Sequence, residues 1–230
     1  MDFARFIQVY IIQGLFALFY LIMASIVLKR GRKQLNLYLS SFYLTTTVGG
    51  VLNMIYANLF NETVVFIMHF ITYFMFCFSM AFLLIFVLIL VKPIDRITPK
   101  LQSIILIIFG LLLLGTLLIP NGIVINETTN WKPNWSEIFL VYTVVVGSCM
   151  VIIPTLYYSI KIYKKFENEY LKKKWKYFIF GISAYFFLFY GTTISNTLNN
   201  DTARLIWSIV SLPTLISLYL IYYGVVQQLE

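Results

Sequence analysis

The chain has 230 residues, of which 60% are hydrophobic and 11% charged, and its net charge is +8. Its mean hydropathy is +0.86. A soluble domain carries about 25% charged residues and under half apolar ones, so this composition excludes an ordinary water-soluble domain and makes the bilayer the solvent.

Seven apolar runs are predicted, at residues 6–28, 35–59, 64–91, 101–119, 138–160, 175–195 and 205–226. Each comes close to the roughly 20 residues that cross about 30 Å of hydrocarbon as a helix. They are too long for barrel strands and show no two-residue alternation. The expected fold class is all-α: a single seven-transmembrane-helix bundle over residues 1–230, a multi-pass membrane protein.

The first run lacks a basic leader and a small-residue cleavage site, so it reads as a true span and not a signal peptide. Gln8 and Gln13 lie in its first two turns, and Lys29, Arg30, Arg32 and Lys33 follow it. The second run carries Gly49-Gly50 and, near its far end, Asn53 and Tyr56. The third carries His69 and Tyr73, four residues apart on one helix face. Lys92, Arg96 and Lys100 come after it. The fourth ends at Pro120-Asn121-Gly122 and leads into a loop with Trp131 and Trp135. Together with Trp175, these tryptophans are expected at the membrane interfaces.

The fifth run holds Pro154 and is followed by a basic loop from Lys161 to Lys176. The sixth has Gly181 and Gly191 for close helix approach and closes with Thr192, Thr193, Ser195 and Asn196. The seventh contains Trp207 and Pro213. Prolines inside spans remove a backbone hydrogen bond and kink the helix. Cys77 and Cys149 lie within runs and read as small buried apolar residues.

Fourteen of the 17 Lys and Arg fall in one set of loops, leaving only Arg5, Lys132 and Arg204 on the other side. Positive residues mark the cytoplasmic side, so the N-terminus is expected outside and the C-terminus inside a cell membrane. Contact between these basic loops and anionic lipid accounts for the positive charge, and no nucleic-acid partner is implied. Four Asn-x-Ser/Thr sequons, at Asn61, Asn126, Asn134 and Asn200, all fall on the expected outer side. They are the expected glycosylation sites.

The spans are almost free of charge, which argues against a pump or an ion-coupled transporter. The seventh run has no Lys for a retinal Schiff base. One His and no Cys-x-x-Cys imply no metal site, and no cofactor is implied. The stretch from Gly181 to Ala184, with Ser183, faintly resembles an intramembrane serine protease using His69 as base. The two side chains fall about 10 Å apart in depth, so an enzymatic role is not expected. The outer-half polar residues are instead the candidate ligand-binding set: Asn53, His69, Tyr73, Asn196 and Trp207, converging on a pocket with mostly apolar walls. The alternative for each is helix-to-helix hydrogen bonding.

Three stretches carry a family likeness: Leu28-Lys-Arg-Gly-Arg-Lys-Gln-Leu-Asn36, Pro120-Asn121-Gly122 with the tryptophan-bearing loop, and Lys172-Lys-Lys-Trp175 leading to Phe180-Gly-Ile-Ser183, with Leu212-Pro213 beyond. In these the chain resembles the N-terminal seven-helix sensor region of prokaryotic histidine kinases and diguanylate cyclases. That resemblance implies a receptor-like sensor. The sequence stops at Glu230 without a kinase, PAS or cyclase domain, so such a sensor is expected to signal through a separate cytoplasmic protein docking on the Lys161 to Lys176 loop. The competing expectations are a small-solute transporter or permease, and a non-catalytic subunit of a larger membrane complex.

Overall fold

The computed structural model describes residues 3–91 and 97–229, so the expected cytoplasmic cations Lys92 and Arg96 lie outside the described residues. Seven helical rods run through the described residues: α1 (Ile7–Lys29), α2 (Gln34–Tyr56), α3 (Glu62–Val91), α4 (Pro99–Leu118), α5 (Glu137–Lys165), α6 (Glu169–Leu198) and α7 (Asp201–Val225). A single turn, Phe3–Phe6, precedes α1.

Six of the rods are long and apolar enough to cross a membrane. The exception is α2, so six of the seven expected spans meet both the length and the apolar requirement. Its 23 residues give it the length, but Asn36, Ser40, Thr46, Thr47 and Asn53 dilute its apolar character. These polar groups are tolerated because α2 is wrapped by α1 and α3 and because several bond back along their own helix. Thr45, Thr46 and Thr47 donate to the carbonyls of Ser41, Phe42 and Tyr43 at 2.7–2.9 Å. Such back-bonding satisfies a hydroxyl without a second helix. Gly49 and Gly50 permit the close contact: a Cβ on Gly50 would lie 3.1 Å from the Ala17 side chain of α1.

Local chemistry sets the rod ends. Thr98, Ser136, Asn168 and Asn200 each accept a backbone N–H in the first turn of α4, α5, α6 and α7. This replaces an acceptor that a helix start lacks. In α5, Pro154 has no N–H for the preceding turn, and a π-turn over Ser148–Ile152 lies just ahead of it. In α7 the helix is broken into Asp201–Ser211 and Thr214–Val225, with Leu212 and Pro213 in the turn between.

Helices α5 and α6 are longer than the hydropathy implied. Only residues 166–168 lie between them, so the expected basic loop is mostly helical. Lys is a good helix former, and polar residues extend a helix beyond the apolar stretch at no cost in water. Within this segment Lys174 is buried with its ammonium 4.5 Å from the Tyr223 ring centre, while Lys161, Lys164, Lys165, Lys173 and Lys176 stay exposed.

Two tryptophans also depart from expectation. Trp175 is in the core, donating to Ser159 O at 2.7 Å, and Trp135 is buried too. An indole whose N–H finds an internal acceptor gains more by packing than by sitting at an interface. Cys77 is buried, but Cys149 is exposed on the outer face of its rod. The all-helical expectation is modified by one small antiparallel ribbon between α4 and α5, β1 (Ile123–Val124) with β2 (Asn134–Trp135).

The bundle has two chemically different ends. At one end Arg30 donates to Tyr222 Oη at 2.6 Å, and Gln34 donates to Gln102 at 2.7 Å. These contacts gather the α1–α2 turn, the start of α4 and the end of α7. At the other end the N-terminal turn meets the ribbon, and Lys132 pairs with Asp201 at the start of α7. The outward faces between are aliphatic, as at Ile107, Leu111 and Ile216, while the interior is dense with aromatics. Phe42 and Tyr185 meet edge-to-face at 4.8 Å near the centre.

Candidate functional site

A cavity of about 240 Å³ opens among α1, α2, α3, α6 and α7, beneath the ribbon. All five candidates, Asn53, His69, Tyr73, Asn196 and Trp207, line it, as do Gln8, Gln13 and Tyr56. They do not all offer it a polar group. The amide of Asn53 donates to Gln13. Tyr73 turns its hydroxyl to Thr143 of α5 at 3.1 Å, and Trp207 donates to Thr192 at 3.2 Å. These three contribute mainly wall.

His69 is the centre of a buried latch. Trp135 Nε1 lies 3.1 Å from its Nε2, and Tyr56 Oη lies 2.7 Å from its Nδ1. Indole can only donate, so Nε2 must be bare and the proton sits on Nδ1, from which it is donated to Tyr56. The neutral imidazole therefore ties α2 and α3 to β2. Trp135 is held further by edge-on contacts with Tyr73 at 5.5 Å and Phe139 at 4.8 Å. The role of His69 here is to hold the ribbon in place.

The ribbon loop is also held by cations from both ends of the chain. Arg5 donates to the carbonyls of Asn130 and Trp131 at 3.2 and 2.7 Å. Arg204 donates to Pro133 O at 2.5 Å and to Asn199 Oδ1 at 3.2 Å. Asn130 and Trp131 have φ of 51° and 57°. A left-handed backbone is unfavourable for a residue as bulky as Trp. It persists because Asn126 caps the turn, accepting from Thr128 and Thr129, while its carbonyl takes the Trp131 N–H at 2.9 Å. Arg5, Lys132 and Arg204 were not among the site residues read from sequence, yet all three line the cavity. The signal was present: they are the only Lys or Arg on the outer side of the predicted topology.

The floor is closed. Ser79 and Tyr185 are hydrogen-bonded at 2.7 Å, and Tyr185 packs on Tyr20 and Phe42. Below them Leu39, Met80, Leu83 and Phe86 are fully buried. Ser183 lies exposed on the outside of α6, away from this cavity and from His69. Among the described residues no cluster of His, Cys, Asp and Glu could hold a metal ion.

Three of the sequon asparagines act as caps. The side-chain oxygens of Asn61, Asn126 and Asn200 accept backbone N–H groups at the starts of helical segments, and Asn134 lies in β2. Capping uses the oxygen and leaves the amide nitrogen, so it is compatible with a glycan.

The Lys132–Asp201 pair at 2.8 Å has an exposed carboxylate, its side chain 70% accessible. Asp201→Asn is expected to change stability by less than about 1 kcal/mol, as is usual for exposed pairs. Thermal unfolding of the purified variant checks this, and a larger loss would mean that the pair clamps the ribbon.

Comparison with protein-family models, curated proteins and solved structures finds no match to this chain.

Proposed function

We propose that the chain is a receptor-like sensor of seven membrane spans, with its N-terminus outside the cell and its C-terminus in the cytoplasm. In this reading a small molecule enters the cavity from outside, changes the packing of α5 and α7 around Pro154 and Pro213, and alters the basic end that a cytoplasmic signalling protein reads. The observation that carries it is the cavity: polar at one end of the bundle, lined by five rods, and closed at its floor. A closed floor favours a site that reports occupancy over one that passes its contents through. Occupancy moves the bundle only if the ligand binds two packings with different affinity.

The seven-span topology is supported by the burial of Asn36, Ser40, Thr46 and Thr47 of α2 against the rest of the protein. The N-out orientation is supported by the separation of the Lys-rich turns from the sequons at opposite ends of the bundle. Accordingly, Asn61, Asn126, Asn134 and Asn200 are proposed as outer-face glycan acceptors. A glycosidase-sensitive mobility shift, lost when all four are changed to Gln, is the expected result in a host that glycosylates surface proteins. Cytoplasmic labelling of cysteines introduced beside these positions would overturn the orientation.

A carrier is the second reading, because α7 is broken beside the cavity, with Ser211 in its lining. Broken helices at a central site are a habit of transporters. Two measurements separate the readings. Gentle purification from the native membrane followed by mass spectrometry is expected to recover a soluble signalling protein, and replacing the exposed lysines between 161 and 176 by Gln is expected to release it. Solute flux in proteoliposomes, with no such partner, would favour the carrier. A fixed set of membrane subunits would favour an assembly role and sink the sensor.

A further inference from the structure

Among the described residues that line the cavity, every charged one is a cation. Arg5, Lys132 and Arg204 all line it, and Lys132 is paired with Asp201. Arg204 is only 6% exposed. Its hydrogen bonds run to two neutral oxygens, Pro133 O and Asn199 Oδ1, and its Nε has no hydrogen-bond partner among the described residues. A buried N–H left unpaired is costly, and more so on a charged group. A guanidinium is also the side chain best shaped to meet a carboxylate or phosphate with two parallel bonds.

The remainder of the cavity is graded. The side-chain amides of Gln8 and Asn196 line it without a hydrogen bond to any described residue, whereas Phe16, Ala17, Phe76 and Leu188 give apolar wall. The volume of about 240 Å³ equals about eight liquid-water volumes of ~30 Å³ each. A methylene fills roughly the space of one such water, so a short organic chain fits.

We propose that the cavity binds a small amphipathic organic anion. Its carboxylate or phosphate-monoester head sits at Arg204, and its apolar body of about six or seven carbons lies along Phe16, Phe76 and Leu188, the head taking the rest of the space. This rests on the reading of the cavity as a ligand site and adds the ligand's chemical class. The head meets the Arg204 guanidinium, whose hydrogen bonds run to neutral oxygens, whose buried Nε–H is unpaired among the described residues, and whose nearby carboxylate, Asp201, is already paired with Lys132. The Gln8 and Asn196 amides are available to any polar substituent next to the head.

The full chain in lipid nanodiscs is titrated with octanoate, octyl phosphate, 1-octanol and octylammonium, read by the fluorescence of the lining residues Trp135 and Trp207. At least one anion is expected to saturate the signal about tenfold more tightly than octanol, with no saturable response to octylammonium. The better anion identifies the head group. Arg204→Gln is expected to lower anion affinity about tenfold and to leave octanol unchanged. Should that variant not fold, the four probes on the unaltered chain decide alone. Octanol binding as tightly as both anions would overturn the anion assignment while leaving a ligand site in place. No saturable binding of either anion at millimolar concentration would also overturn it. Absence of a signalling partner in the native purification would instead remove the sensor reading and leave the anion site standing.

Discussion

Gly181→Val is expected to destabilise the bundle by about 3 kcal/mol or more, at the upper end of the cost of overpacking a filled interior. A Cβ at Gly181 would lie 2.6 Å from Ser217 O and 2.8 Å from Ile221 N, both backbone atoms of α7. Backbone cannot rotate away as a side chain can, so the two rods would have to separate. Gly224 makes the reciprocal approach: its Cβ would meet Phe178 N at 2.5 Å and Lys174 O at 2.8 Å on α6. Close backbone approach at small residues is a chief source of helix association in lipid, where water no longer drives apolar surfaces together. Because both glycines seat the same pair of rods, Gly181→Val with Gly224→Val is expected to cost less than the sum of the single changes. Thermal or denaturant unfolding of the three variants in one detergent checks this. A single-variant loss below about 1 kcal/mol would mean that the α6–α7 contact is not needed for the fold.

His69→Leu is expected to cost about 2–4 kcal/mol, since it strands two buried polar groups at once. The Trp135 N–H loses its acceptor at 3.1 Å, and Tyr56 Oη loses its donor at 2.7 Å. The consequence reaches beyond stability. With its indole unlatched, the ribbon over the cavity keeps the Arg5, Lys132 and Arg204 ties and its ring contacts but loses its buried hydrogen bond, so Trp135 emission is expected to shift to the red as water reaches it. His69→Leu combined with Trp135→Phe is expected to recover part of the loss, because removing both partners leaves fewer groups unsatisfied than removing one. Unchanged emission together with unchanged stability in the single variant would contradict the latch. A fall in stability without any emission change would assign His69 to packing alone.

The candidate set illustrates how far the residues could be read one at a time. Asn53, His69, Tyr73, Asn196 and Trp207 were selected because each interrupts an apolar run at a similar depth, and depth along a helix is a local property of 1.5 Å per residue. Convergence on one cavity follows from shared depth once the rods are packed. What each group does there depends on its partner, and partners lie far away in sequence. His69 meets Trp135 across 66 positions, and Tyr73 meets Thr143 across 70. Arg5 reaches Asn130 across 125. No periodicity carries that information.

The errors have the same origin. Trp135 and Trp175 were expected at interfaces because amphipathic rings favour them, yet each found an internal acceptor that only the packed bundle supplies. The basic segment from Lys161 to Lys176 reads as a loop by hydropathy, which measures transfer to lipid and not helical preference. The structure continues both helices through most of it.

The sequence by itself determined the helical class, the number and order of the rods, and the concentration of cations at one end with sequons at the other. These follow from transfer free energies and backbone satisfaction in lipid, which act residue by residue along the chain. The tertiary structure alone decided that α2 could be polar and still buried, that a ribbon covers the cavity, that His69 latches it, and that Arg204 lines the cavity with its buried Nε–H unpaired among the described residues. Those outcomes depend on which rods become neighbours, because a buried donor's energy is set by the acceptor opposite it and not by its own place in the chain.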